Sequence, residues 1–247
     1  MNFKLGKLAP KAVPLALRDY LSVETLPKPP IKGGHVDIAE KDHNMFGNDK
    51  VGDCTCADVG HVTLYWNKEA GKGLAISTKN VLALYSAVSG YNPKDPSTDQ
   101  GANMADVAQY HLTTGLEDED GAFHKCAAYM GVTKGNIEEI KQSIYLFGAC
   151  SIGWALPMSA QQQFQAGVPW SVVNRSPIEG GHDTLAIGYD PDYLYIITWG
   201  ALQKVEWAFV SKYMDEGIVK LSDEMLKNGK SLEGFNVTQL QADLKAL

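Results

Sequence analysis

The stretch Gly52-Asp53-Cys54-Thr55-Cys56 constrains the chain more than any other. It closes a polar loop that begins at Asn44. It also opens a segment over residues 55–70 whose Val59, Val62, Thr63 and Trp66 fall on one broad helical face. A thiol at a helix start faces unpaired backbone N–H groups and the positive end of the helix dipole, and both favour thiolate. The same stretch also reads as a loop–helix junction that carries two buried cysteines. What separates the two readings is a base within hydrogen-bond reach, which a cysteine nucleophile requires.

Charge and apolar patterning exclude several classes. A net charge of −7 over 247 residues argues against nucleic acid as the main partner. No apolar run approaches the ~20 residues that span a bilayer. The basic N-terminal segment, with Lys4, Lys7, Lys11 and Arg18, is broken by Pro10 and Pro14 and makes a poor signal peptide. A cytoplasmic location with reduced thiols is the expectation. The four cysteines, Cys54, Cys56, Cys126 and Cys150, have no C-x-x-C spacing, so neither a disulfide framework nor a structural zinc site is expected. A metal or redox site built from Cys54, Cys56 and His61 requires an unusual helix geometry.

Residues 1–34 read as an arm and linker ending in a Pro- and Gly-rich run. The expectation is a strap on the domain surface; the alternatives are docking on a partner or filling a groove. Helices are predicted over 80–89, capped by Ser77 or Thr78, and over 104–114, stopped by Gly115. Residues 90–101 are rich in turn formers. The acidic run 117–120 reads as a solvated loop without calcium-loop spacing. The pattern then changes. Residues 123–132 and 149–156 read as strands, 136–147 as a helix capped by Asn136, and 159–166 as a short helix. Strand-like runs follow at 184–189, 193–199, 205–210 and 217–221. A helical first half and a strand-rich second half indicate an α+β architecture in two lobes, about 45–120 and 121–221. Residues 222–247 form a C-terminal extension in which Val237, Leu240, Leu244 and Leu247 pattern a short amphipathic helix.

His61 follows Cys54 by seven residues, two helical turns or roughly 10 Å away, too far for a hydrogen bond within one helix. It reads as structural or surface, and His35, His43, His111 and His124 have no local feature that singles them out. His182 differs. It sits in Glu179-Gly180-Gly181-His182-Asp183, ahead of an apolar strand, where it can face a helix N-terminus from another lobe. The alternative is a solvent-facing loop histidine.

These pieces, in this order, resemble the papain-like cysteine peptidase superfamily. Asn48 stands six residues before Cys54, where that family has its oxyanion-hole glutamine, and Gly52 stands two before it, where the family has glycine. The segment 105–116 after Gln100-Gly101 resembles the family's third helix after its substrate loop. His182 to Gly188-Tyr189 matches the spacing from the catalytic histidine to a Gly-Tyr pair, and Tyr195 to Gly200 resembles the strand ending Asn-Ser-Trp-Gly. The run from Asn48 to Thr55, with Thr98 to Gly101, Gly180 to His182 and Thr198 to Gly200, is most similar to bacteriophage and bacterial proteins within this superfamily.

The resemblance implies a papain-like two-lobe fold with a helical left lobe, a central helix and an antiparallel β-barrel-like right lobe over 35–221. It implies a Cys54 thiolate paired with His182, an oxyanion hole from Asn48 and the Cys54 N–H, Trp199 as a shield over the histidine, and no cofactor. It also implies a peptide or protein substrate. The family's orienting asparagine falls on Ile197, which cannot hydrogen-bond an imidazole. Its neighbour Thr198 can, though on the opposite strand face from Ile197 unless a bulge intervenes. The competing expectation is an inactive scaffold with a structural or host-interaction role in a bacteriophage, with virion proteins as partners.

Overall fold

The computed structural model describes residues 3–19, 28–34, 43–71 and 73–222. His35, the start of the 26–34 linker and the segment expected around 237–247 lie outside them.

Helix α1 (Cys54–Glu69) starts where the backbone carbonyl of Asp53 accepts from Cys56 and Ala57. It is almost wholly buried, because it packs on both sides. One side carries Cys56, Ala57 and Val59 into a helical-lobe core with Phe46, α2 (Thr78–Ser89) and α3 (Met104–Thr113). Ser77 and Asn80 close a capping box at the start of α2, and the Asn103 side chain caps α3. The other side of α1 sets Val62, Tyr65 and Trp66 against Cys126, Ala149, Leu185, Ile187 and Ile197 of the sheet. Each of the larger side chains buried there contributes about 1.5–3 kcal/mol.

Strand β1 (Gly33–Gly34) joins a sheet formed by β4 (Cys126–Val132), β5 (Cys150–Pro157), β6 (Ile178–Tyr189), β7 (Tyr193–Thr198), β8 (Ala201–Glu206) and β9 (Met214–Ser222). The order is β4-β9-β5-β6-β7-β8, with β1 on β6 and every pair antiparallel. The sheet is open, so the expected barrel-like lobe is a curved sheet whose outer strands do not meet. Helices α4 (Ile137–Phe147), α5 (Met158–Gln165) and α6 (Trp207–Tyr213) cover it. Its main core gathers Trp154, Trp170, Phe209, Ile140 and Leu194.

Three expectations change. The strand predicted over 205–210 is the end of β8 followed by α6, whose Phe209, Val210 and Tyr213 make a helical stripe; a short apolar run does not distinguish the two periods. The strand predicted over 123–132 is divided. Phe123–His124 is β3, which pairs with β2 (Leu116–Glu117), and β4 begins at Cys126. The acidic run forms the turn of that hairpin. Asp118 is buried, accepts from the Asp120 and Ala122 amides, and meets His124 Nε2 at 2.9 Å. Among the described residues no helix is long and apolar enough to cross a membrane.

A buried polar link ties the lobes. Asp58 on α1 accepts from Ser151 Oγ on β5 at 2.8 Å and from Lys220 Nζ on β9 at 2.5 Å. Both charged side chains are almost fully enclosed.

Candidate active site

His182 lies inside β6, since the strand begins at Ile178 and pairs His182 with Trp154 of β5. The glycines before it read as a loop in the sequence, but the ladder with β5 carries them as strand. Register explains how the imidazole is held. Leu185 pairs with Ile197 and Ala186 with Ile196, so Ile197 shares the face of Leu185 and packs towards α1. The opposite face carries His182 and Thr198 by simple alternation. Thr198 Oγ1 sits 2.7 Å from His182 Nε2, with no bulge needed. The irregularity in this ladder falls further on, between Ala186 and Gly188.

Trp199 turns out of β7 with a left-handed φ of 46°, costly for a bulky residue, into Gly200 at φ 72°. That turn lays the indole over the imidazole, with ring centroids 4.6 Å apart and planes 18° from parallel. His182 Nδ1 is buried and makes no hydrogen bond.

Cys54 opens α1. The backbone amides of Asp183 and Gly6 lie against its sulfur, and Asp183 directly follows His182. Cys56 points instead into the helical-lobe core. His61 meets the Asn44 carbonyl at 2.8 Å and packs on Phe46. Cys56 and His61 thus lie on the helical-lobe side around Phe46, apart from Cys54, and among the described residues no His/Cys/Asp/Glu group is placed to hold a metal ion. Asn48 is buried and donates from Nδ2 to Asp53 Oδ1 at 3.3 Å, which leaves its second amide proton uncommitted to that bond. Burial drives the Asp53 carboxyl well above its ordinary range, against the Asn48 hydrogen bond.

The cleft between the lobes is filled by the chain's own arm. The surface strap expected for residues 1–34 is instead, over residues 3–8, an insert between lobes. The Lys7 amide donates to the Gly181 carbonyl at 3.0 Å, the Ala102 amide to Gly6 O at 2.9 Å, and the Leu8 amide to Ala102 O at 3.0 Å. Phe3 stacks on the outer face of Trp199 at 4.7 Å, and its backbone is gripped in both directions by the Gln161 amide. A Cβ on Gly6 meets Gly52 O at 1.9 Å, so only glycine passes this point. Lys4 pairs with Asp99, and Lys7 with Asp215 and Glu216.

Enclosure sets the charge state. Burial, and secondarily the Asp183 carboxylate, push the Cys54 thiol up to about 12. Burial, with the Lys7 charge, brings His182 down to about 3. In this conformation the thiol and the imidazole are both neutral.

Sequence reasoning missed Gly6, Lys7, Ala102, Gln161 and the Asp215-Glu216 pair. The run from Phe3 to Leu8 has an extended, strand-like alternation at its start, but nothing local names its partner strands.

No family model and no curated protein sequence matches the chain. Solved structures do. Xylellain, a cysteine protease from Xylella fastidiosa, superposes with a TM-score of 0.65 at 13% identity over 89% of this chain and 96% of its own. Procathepsin B S9 from Trypanosoma congolense gives 0.64 at 11% over 89% and 86%. Digestive procathepsin L 3 of Tenebrio molitor gives 0.59 at 12% over 89% and 75%. The chain has the fold of the papain-like cysteine proteases.

Proposed function

We propose that the protein is a papain-like cysteine hydrolase of peptide or amide bonds, with Cys54 as nucleophile and His182 as base, held closed by its own N-terminal arm. The observation that carries this reading is the placement of His182. Its Nε2 is fixed by Thr198, its face is covered by Trp199, its Nδ1 makes no hydrogen bond, and the residue that follows it, Asp183, brings its backbone amide to the Cys54 sulfur.

In the open enzyme the imidazole takes the Cys54 proton and the thiolate attacks the acyl carbonyl. The Cys54 amide and the second Asn48 amide proton receive the developing oxyanion. The imidazolium then gives its proton to the leaving amine, and the acyl-enzyme remains. Water, deprotonated by His182, adds to the thioester; the thiolate leaves and recovers the proton. Thr198 holds the ring while it carries the charge.

The arm blocks this sequence in two ways. It presents the Gly6 amide to the sulfur, while the Gly6 carbonyl is bound by Ala102, so no arm carbonyl is offered for attack there. It also excludes water from both reacting groups and adds the Lys7 charge near His182, and both effects oppose a thiolate–imidazolium pair.

Gly6→Ala forces the arm out, because its Cβ has no room against the Gly52 carbonyl. Quenched fluorogenic peptides are expected to be hydrolysed by folded Gly6→Ala and not by Gly6→Ala/Cys54→Ala. A folded, arm-displaced protein without Cys54-dependent turnover contradicts the proposal. One observation favours a second reading, an inactive scaffold with structural or host-interaction partners in a bacteriophage: the arm is held by backbone hydrogen bonds and a buried ion pair, as a permanent part of the fold. That reading predicts an unreactive Cys54 even in Gly6→Ala.

A further inference from the structure

Lys7 is the most enclosed lysine of the arm; 1% of its side chain is exposed. Its Nζ donates to Glu216 Oε1 at 2.8 Å, to Asp215 Oδ2 at 3.0 Å and to the Leu8 carbonyl at 3.1 Å. The three donors of an ammonium are thereby used. The seat is built from both lobes. Its stem runs past Gly153 of β5, where a Cβ falls 2.9 Å from Lys7 Cδ and 2.8 Å from Met104 Sδ of α3. The backbone of residue 7 is clamped between Gly181 and Ala102.

The acid pair is not consumed by the arm alone. Glu216 Oε2 and Asp215 Oδ1 are buried without a hydrogen bond, and the Glu216 side chain is 91% enclosed, with 9% exposed. Two carboxylates set side by side, one of them largely buried, are costly unless a cation sits between them. Among the described residues the ion pairs to these acids come from Lys7, so the arm supplies the cation that sits between them. Asp215 and Glu216 also border an open groove of about 250 Å³ whose lining includes Lys11, Arg18 and Lys134, so the far side of the seat reaches solvent and faces further cations, none of which pairs with either acid.

We infer that the seat of Lys7 is a specificity subsite of the proposed hydrolase, which takes a lysine or arginine side chain of an extended peptide once the arm has left. This inference rests on the proposed function. The Ala102 and Gly181 hydrogen bonds are available to any extended chain and provide affinity without selection. The side-chain pocket supplies the selection, as in other strand-addition modes of recognition. The arm closes the cleft because it carries the side chain for which the cleft is built. The preference is for cationic peptides, and Glu216, the more buried acid, is its main determinant.

The test uses the full-length chain with Gly6→Ala and Lys7→Ala together, which displaces the arm and vacates the seat. Binding of a fluorescein-labelled nonapeptide with the sequence of residues 2–10 is measured by anisotropy, against a copy carrying norleucine at the Lys7 position. Loss of charge-assisted hydrogen bonds predicts binding of the lysine peptide tighter by about tenfold or more. That advantage is expected to vanish in Glu216→Gln and to shrink in Asp215→Asn, whose more exposed site tolerates change if the first variant fails to fold. Equal binding of the two peptides, or binding of neither, overturns the subsite. In the same variants, a fluorogenic library scanned at each position reports hydrolysis. Lysine-selective binding without any turnover leaves the subsite standing and counts against the proposed function alone.

Discussion

At the scale of single residues, the orientation of His182 rests on Thr198. A hydroxyl stands where the superfamily resemblance led one to look for an amide one position earlier. It reaches Nε2 because strand alternation, not a bulge, sets it on the histidine's face. Thr198→Val keeps the shape and removes the hydrogen bond. In the Gly6→Ala background this is expected to lower kcat by about 10²-fold, the lower end of what a positioned general base contributes, with KM little changed. Thr198→Ser is expected to recover most of the loss. An unchanged kcat in Thr198→Val means that the hydroxyl does not position the ring. Much of this was legible beforehand. Cys54, His182 and Trp199 stand at recognisable spacings, and Ile197 was visibly unable to bond an imidazole. The choice between Ile197 and Thr198 was not legible, because it depends on which residues of β6 and β7 pair, and the sequence carries no register for a ladder buried on both faces.

At the scale of elements, the helices with caps were read correctly, because their signals are local. Asn136 opens α4 by accepting a backbone amide and Ser77 closes a capping box on α2, as expected, whereas Asn103, which caps α3, was not among the expected caps. The run 205–210, which spans the end of β8 and the first turn of α6, was read as strand because a short apolar run satisfies either period. The contact between α1 and the sheet adds a polar element that no local pattern discloses. Asp58, Ser151 and Lys220 come from three distant segments to form one buried network. Lys220→Met leaves the Asp58 carboxylate enclosed without its cation. The expected loss is about 3–5 kcal/mol, read as a lower urea midpoint at an unchanged slope. Asp58→Asn with Lys220→Met is expected to recover part of it. A neutral effect of Lys220→Met implies that the pair does not hold α1 to the sheet.

At the scale of the whole molecule, two lobes meet around a cleft, and a segment from the start of the chain passes between them. This arrangement was the least legible part. The arm's charge and prolines were evident, but its place depends on Gly52 and Gly101 packing against Gly6, and Gly181 against the Lys7 backbone, across more than a hundred residues of sequence. Closure also explains the charge states of the site. A thiol raised to about 12 is un-ionised throughout the neutral range, and a histidine lowered to about 3 is uncharged there. Removal of the arm restores water to both groups and takes away the Lys7 charge. The helix N-terminus at Cys54 then acts on a solvated thiol, which lowers its pKa.

The most direct measurement is therefore the pH–rate profile of iodoacetamide alkylation at Cys54, read by peptide mass spectrometry under native conditions in the parent and in Gly6→Ala. The parent is expected to be nearly inert from pH 6 to 9. Gly6→Ala is expected to react rapidly, with an inflection below the ordinary thiol value of about 8.5 that moves up when His182 is replaced by Ala. A Gly6→Ala profile that inflects at or above the ordinary value, or a parent that reacts as fast as the variant, contradicts the account of a cysteine hydrolase closed by its own arm.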